Sequence, residues 1–145
     1  IFAPTGTTAG IGFAIPIHVA RQIADDLIRE GRVRRAYLGV DTTALFPGLA
    51  EALGLPVEEG LLIERVVPAS PAAQVGLRGG TRAVIAGMRR ILVGGDVLVT
   101  LDGQPIANQL DMNRLLNRKR PGDHVRLTIY RGRQKTDLEV TLGER

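Results

Sequence analysis

Gly60-Leu61-Leu62-Ile63-Glu64-Arg65-Val66-Val67-Pro68-Ala69-Ser70-Pro71-Ala72-Ala73 holds a strand, a turn and the opening of a helix in immediate succession. Residues 60–67 read as a buried strand, because an apolar run of this length lies between turn formers and is too short for a helix. Pro68-Ala69-Ser70-Pro71 is the turn, and Ser70 is placed to cap the short helix over 72–75 that Gly76 ends. Beyond it, residues 97–101 form another strand. Asp102-Gly103 has the chemistry of a tight hairpin turn, and Gln104-Pro105-Ile106 begins the return.

The pattern continues on both sides. A helix is expected from Gln109 to about Arg120, stopped by Pro121-Gly122-Asp123. Its apolar residues Leu110, Met112, Leu115 and Leu116 spread over two surfaces rather than one stripe. Val125, Leu127 and Ile129 alternate with polar residues, as do Leu138, Val140 and Leu142, and Arg131-Gly132-Arg133 joins them as a hairpin. Upstream, residues 37–42 are strand-like. Residues 32–35 are a short basic connector, and the domain boundary falls there. Before it, Ile11-Gly12-Phe13-Ala14-Ile15 reads as a buried strand, and Pro16 opens a helix in which Val19, Ala20, Ile23, Ala24, Leu27 and Ile28 form an apolar stripe ended by Gly31. Residues 81–93, between Gly79-Gly80 and Gly94-Gly95, carry apolar residues without a clean period. They are expected to be a surface insertion that can be removed at little cost, since loop length adds little closure entropy.

The chain has 145 residues with 44% apolar and 23% charged content, which suits one globular domain or one with a fragment of another and excludes a disordered tail. No apolar run reaches the ~18 residues of a membrane helix. Ile1 follows no charged and apolar leader, so the start reads as internal to a longer chain. The net charge of +4 raises the question of nucleic acid or another anionic surface. Acids are interspersed along most of the chain, and three Phe and two Tyr are few for base stacking, so nucleic acid is not expected as a partner.

Catalytic chemistry finds little to work with. There is no Cys, Ser70 is the one serine, and His18 and His124 are the two histidines. Neither histidine has a second ligand at metal spacing, and a self-contained triad would need a nucleophile, a base and an orienting acid together. No catalytic residue, metal or cofactor is therefore expected in this chain. The glycine pairs lack the Lys-Ser or Lys-Thr of a phosphate cradle.

Tyr37-Leu38-Gly39-Val40, preceded by Arg34 and Arg35, resembles the carboxylate-binding loop of a PDZ domain. The segments 60–63, 67–73, Gly76-Leu77, Gly95-Asp96-Val97-Leu98 and 102–106 follow in the order found in bacterial-type PDZ domains, and the late hairpin ending at Leu142 matches their permuted strand order. Residues 81–93 depart from the commoner pattern, in which Gly-Leu is followed almost at once by Gly-Asp. Ile1-Phe2-Ala3-Pro4-Thr5-Gly6 and Gly10-Ile11-Gly12-Phe13-Ala14-Ile15-Pro16 resemble the end of the trypsin-like domain of HtrA (Deg, protease Do-like) serine endopeptidases. In that family the matching loop and strand lie after the catalytic serine and help shape the primary specificity pocket. The family's triad lies earlier in the chain and is absent from this sequence.

The resemblance implies a mainly β fold with two or three helices: a PDZ-like, partly open antiparallel β-barrel or sandwich over 36–145, a linker over 32–35, and over 1–31 the terminal strand and helix of a truncated trypsin-like domain. It implies a module that binds the C-termini of peptides or unfolded protein segments for substrate recognition or regulation in protein quality control, in the periplasm or cell envelope. The parent protease domain is then a second partner. The implied contacts are Tyr37, Leu38, Gly39, Val40, Asp41 and Thr42 from the strand and Met112, Leu115 and Leu116 from the helix, with Arg34 and Arg35 attracting the carboxylate. Gly39 is expected to keep a Cβ from blocking that carboxylate. The alternative is a scaffold or homo-oligomerisation module whose groove is filled by a neighbouring chain.

Overall fold

The computed structural model describes residues 14–30 and 34–145, which divide after Arg34 into two compact units. In the first unit, α1 (Ile17–Glu30) starts behind Pro16, whose carbonyl accepts from the N–H groups of Val19 and Ala20 at 3.1 Å. Of its expected apolar stripe, Val19, Ala20 and Ile23 are half-buried, whereas Ala24, Leu27 and Ile28 are exposed. Residues 11–13 of the expected strand and the stop at Gly31 lie outside the described residues, and Ala14 and Ile15 form no regular element.

The second unit is built on antiparallel strands. Its elements are β1 (Ala36–Tyr37), β2 (Val40–Ala44), α2 (Pro47–Ala52), β3 (Leu61–Val66), α3 (Pro71–Gln74), β4 (Arg82–Ala86), β5 (Arg89–Val93), β6 (Val97–Leu101), β7 (Gln104–Pro105), α4 (Gln109–Asn117), β8 (His124–Arg131), β9 (Gln134–Thr141) and β10 (Gly143–Glu144). The main sheet has the order β2-β3-β6-β8-β9, with β7 attached to β6, and it does not close into a barrel. β1 pairs with β10 and β4 with β5 in two small ribbons. The mainly β, open antiparallel architecture is the expected one, with α2 as an addition that no periodicity announced.

Two apolar clusters explain why β3 is apolar on consecutive residues. Leu61 and Ile63 join Leu38, Leu98, Met112, Leu127 and Ile129 in the larger cluster, while Leu62 points the other way to join Leu45, Leu49, Ile91, Val93 and Val97. A strand covered on both faces loses its alternation. The second cover consists of α2 and the β4–β5 hairpin, so residues 81–93 are not the removable insertion expected from loop entropy. Ile91 and Val93 are 2% and 0% exposed. The two arms of the ribbon close up at its base, where a Cβ on Gly80 would stand 2.5 Å from the Leu92 carbonyl carbon, and where the chain returns to β3, one on Gly95 would stand 2.3 Å from the Ile63 oxygen. The flanking glycines are packing requirements, and their spacing signals a close backbone approach.

Buried polar groups are tied down. Asp96, 1% exposed, accepts from Arg131 Nε and Nη2 and from the Arg78 N–H, each at 2.9 Å, and the first of these bonds raises the Arg131 pKa. Asp102 and Gly103 both have positive φ, as the tight turn requires, and Asp102 accepts from the Arg126 N–H at 2.8 Å. That bond, with Lys119 at 2.7 Å, holds the Asp102 carboxyl below the usual aspartate range.

Candidate functional site

The chain path from β1 into β2 is fixed from behind. Ala36 pairs with Glu144 and Tyr37 with Gly143, after which the backbone turns at Gly39 with φ +94°. The Leu38 carbonyl accepts from the Ala72 N–H and the Gly39 carbonyl from the Val67 N–H, both at 2.9 Å. Ser70 behaves as expected: it caps α3 by accepting from the Ala73 N–H at 3.2 Å, and its hydroxyl also points to the Gly39 carbonyl at 3.4 Å. A Cβ on Gly39 would lie 2.2 Å from Ser70 Cβ. Glycine is therefore demanded by the left-handed backbone and by Ser70 behind the loop, a different reason from the one the sequence suggested.

The free edge follows from hydrogen-bond parity. Val67 N–H meets Gly39 O one residue beyond the Val40–Val66 pair on each strand, which makes that pair the non-hydrogen-bonded kind. The N–H and C=O of Val40 then point away from β3. Because β2 is the last strand of its sheet, they point to an unpaired edge, and α4 runs beside it. Asn108 caps α4 by accepting from the Asp111 N–H at 2.9 Å, and Thr42 Oγ1 donates to Gln109 Oε1 at 2.7 Å across the gap.

Between them lies a groove of about 290 Å³. Leu38 and Met112 line it as buried apolar residues and Leu116 as a half-buried one, with Gln109, Asn113 and Asn117 along the helix and Arg35 and Arg145 at one end. The structure thus gathers Arg35, Tyr37, Leu38, Gly39, Val40, Thr42, Met112 and Leu116 around one groove. Asp41 alternates to the other side of β2 and lines a separate cavity with Glu64, Arg65, Arg90 and Leu92. Leu115 packs on the main core and lines another depression with Gln104 and Pro105. Arg34 belongs to the first unit, where its N–H donates to Asp26 Oδ2 at 3.1 Å.

Gln109, Asn113, Asn117 and Arg145 line the groove without having been read from the sequence. The three helix residues recur with Met112 and Leu116 at i, i+3, i+4, i+7 and i+8, so anchoring the helical phase at Gln109 would have found them. Arg145 gives no local signal, since its place depends on β10 pairing with β1 and on its N–H reaching the Arg35 carbonyl at 3.0 Å. Among the described residues no group of three His, Asp or Glu side chains is placed to hold a metal. His124 Nδ1 instead meets Thr141 Oγ1 at 2.8 Å.

An open antiparallel sheet with a glycine turn at the head of its free edge, and a helix alongside, defines a class of recognition fold. The PDZ domain family model matches residues 36–142, and the chain belongs to that family. Over 142 residues it is 32% identical to the periplasmic pH-dependent serine endoprotease DegQ of Escherichia coli, covering 98% of this chain and 28% of that protein. Identity is also 32% over 143 residues to the probable periplasmic serine endoprotease DegP-like of Rhizobium meliloti, covering 99% of this chain and 25% of that one. Among solved structures, HtrA-type protease AlgW with a decapeptide superposes with a TM-score of 0.67 at 34% identity, covering all of this chain and 40% of that chain. The chain spans about a quarter of the length of the curated relatives it matches.

Proposed function

We propose that the groove binds the C-terminal segment of a peptide or unfolded protein as an added strand on β2. The ligand's carboxylate sits on the amides of Leu38, Gly39 and Val40, and its last side chain on Leu38, Met112 and Leu116. The observation that carries this reading is the outward N–H and C=O of Val40 on an unpaired edge facing α4, since an extended peptide supplies both missing partners. The peptide bound to AlgW and the serine endoprotease relatives support a place for this module in substrate recognition or regulation by an HtrA-type serine endopeptidase, in protein quality control outside the cytoplasm. In this reading the chain binds and residues elsewhere in the longer protein cut.

Calorimetric titration with two peptides of one sequence, ending in an apolar residue as free acid or as amide, tests the reading. The acid is expected to bind with roughly micromolar affinity, about −8 kcal/mol. The amide should be weaker by at least ~1.5 kcal/mol, because the loop amides lose a charged acceptor. Equal binding would assign recognition to the strand alone. No binding by either, together with a solution mass above that of one chain, would favour a groove filled by a neighbouring copy.

A further inference from the structure

The chain carries 19 basic and 15 acidic side chains, yet residues 78–95 hold Arg78, Arg82, Arg89 and Arg90 and no acid at all. Outside that segment the charges cancel, so the whole net charge of +4 resides in the β4–β5 hairpin and its flanks. All four arginines are exposed. Among the described residues, Asp41 and Glu64 share a cavity with Arg65 and Arg90, Arg89 bears on Glu64, and Asp96, which meets the Arg78 N–H, is already paired with Arg131. Five arginines against two carboxylates leave this surface positive. Among the described residues none of the five is in an ion pair.

The same hairpin carries an apolar tip. Its inner face, with Ile91 and Val93, is buried on the domain, but Ile85 is 79% exposed and Met88, beside the Gly87 turn, is 105% exposed. Ile85 pairs across the ribbon with Arg90 on its outer face. We propose that this hairpin is a contact site for an anionic phospholipid surface, with Ile85 and Met88 entering the headgroup layer, Arg90 across from Ile85 resting on the lipid phosphates, and Arg78 and Arg82, at the base of the ribbon where Arg82 pairs with Val93, adding long-range attraction. A bilayer presents anionic charge with apolar material beneath it, which matches an exposed apolar tip with Arg90 beside it and further basic charge behind it. An acidic protein surface would satisfy the arginines and leave the tip without a partner.

Sedimentation of the full chain with phosphatidylcholine vesicles, with and without phosphatidylglycerol, tests this. Binding is expected only with phosphatidylglycerol, weakening at high salt as the charges are screened. The pair Ile85→Ser and Met88→Ser, and separately the pair Arg82→Glu and Arg90→Glu, should each reduce it at least tenfold. Thermal melts and groove-peptide titration report that the variants are folded. Equal binding to both vesicle types, or none to either, overturns the proposal. Loss with the arginine pair but not the tip pair would assign the surface to an acidic protein and overturn it as well.

Discussion

Gly39 and Ser70 are one feature seen from two elements, because the loop is held by the residue that caps α3. Gly39→Ala is expected to cost about 2 kcal/mol or more, from left-handed strain together with the collision at Ser70. In a Ser70→Gly background the collision disappears and only the strain remains, so urea unfolding of the two single variants and the double should show non-additivity. Glu64 makes a second prediction. Burial alone would push its carboxyl up, but hydrogen bonds from Thr43 Oγ1 at 2.6 Å and the Leu92 N–H at 2.9 Å, with Arg89 and Arg65 nearby, outweigh it and hold the carboxyl below the usual glutamate range. A folded value below the unfolded one gives stability that is present above the unfolded value and is lost as pH falls through the folded one. Melting temperature measured against pH should therefore fall on acidification, and Glu64→Gln should flatten that limb. An unchanged acid limb would deny Glu64 this part.

At the level of elements, the β4–β5 hairpin is the test of what the core needs. Ile91→Ala should cost about 2–5 kcal/mol, as for other large-to-small changes in a packed interior. Joining Gly80 directly to Gly95 should abolish cooperative melting, and a sharp melt at the parent temperature would count against a structural role. This hairpin also marks the limit of what could be read in advance. Strands with their own alternation, such as β8 and β9, and turns with their own chemistry, such as Asp102-Gly103, are legible because local sequence decides them. Val84, Ala86, Ile91 and Val93 face inward at spacing two, but the turn at Gly87 between them carries only one glycine, and the outward Ile85 and Leu92 blur the period. α2 has six residues and no capping side chain, so beyond Pro47 at its first position it is its burial against Leu62 and Val97 that accounts for it. In the groove, Leu38, Gly39 and Met112 were legible from motif and pattern. Leu115 was not separable from Leu116 until packing set the helical phase.

For the whole molecule, the division after Arg34 motivates a fifth prediction: the piece covering residues 35–145 folds alone and unfolds in one cooperative step, with peptide affinity equal to that of the full chain. A broad melt, or lost affinity, would tie the first unit to the second. The pairing of β1 with β10 has a mechanical consequence for that arrangement. Ala36 lies opposite Glu144 and Tyr37 opposite Gly143, so residues 35 and 145 leave the domain side by side. Tension applied across those two points peels the ribbon one hydrogen bond at a time instead of shearing it, which is the mode a short antiparallel pair resists least. The backbone freed first runs directly into Leu38 and Gly39. A tug that leaves the six-stranded sheet whole would slacken the mouth of the groove, making grip on a ligand sensitive to force before stability is.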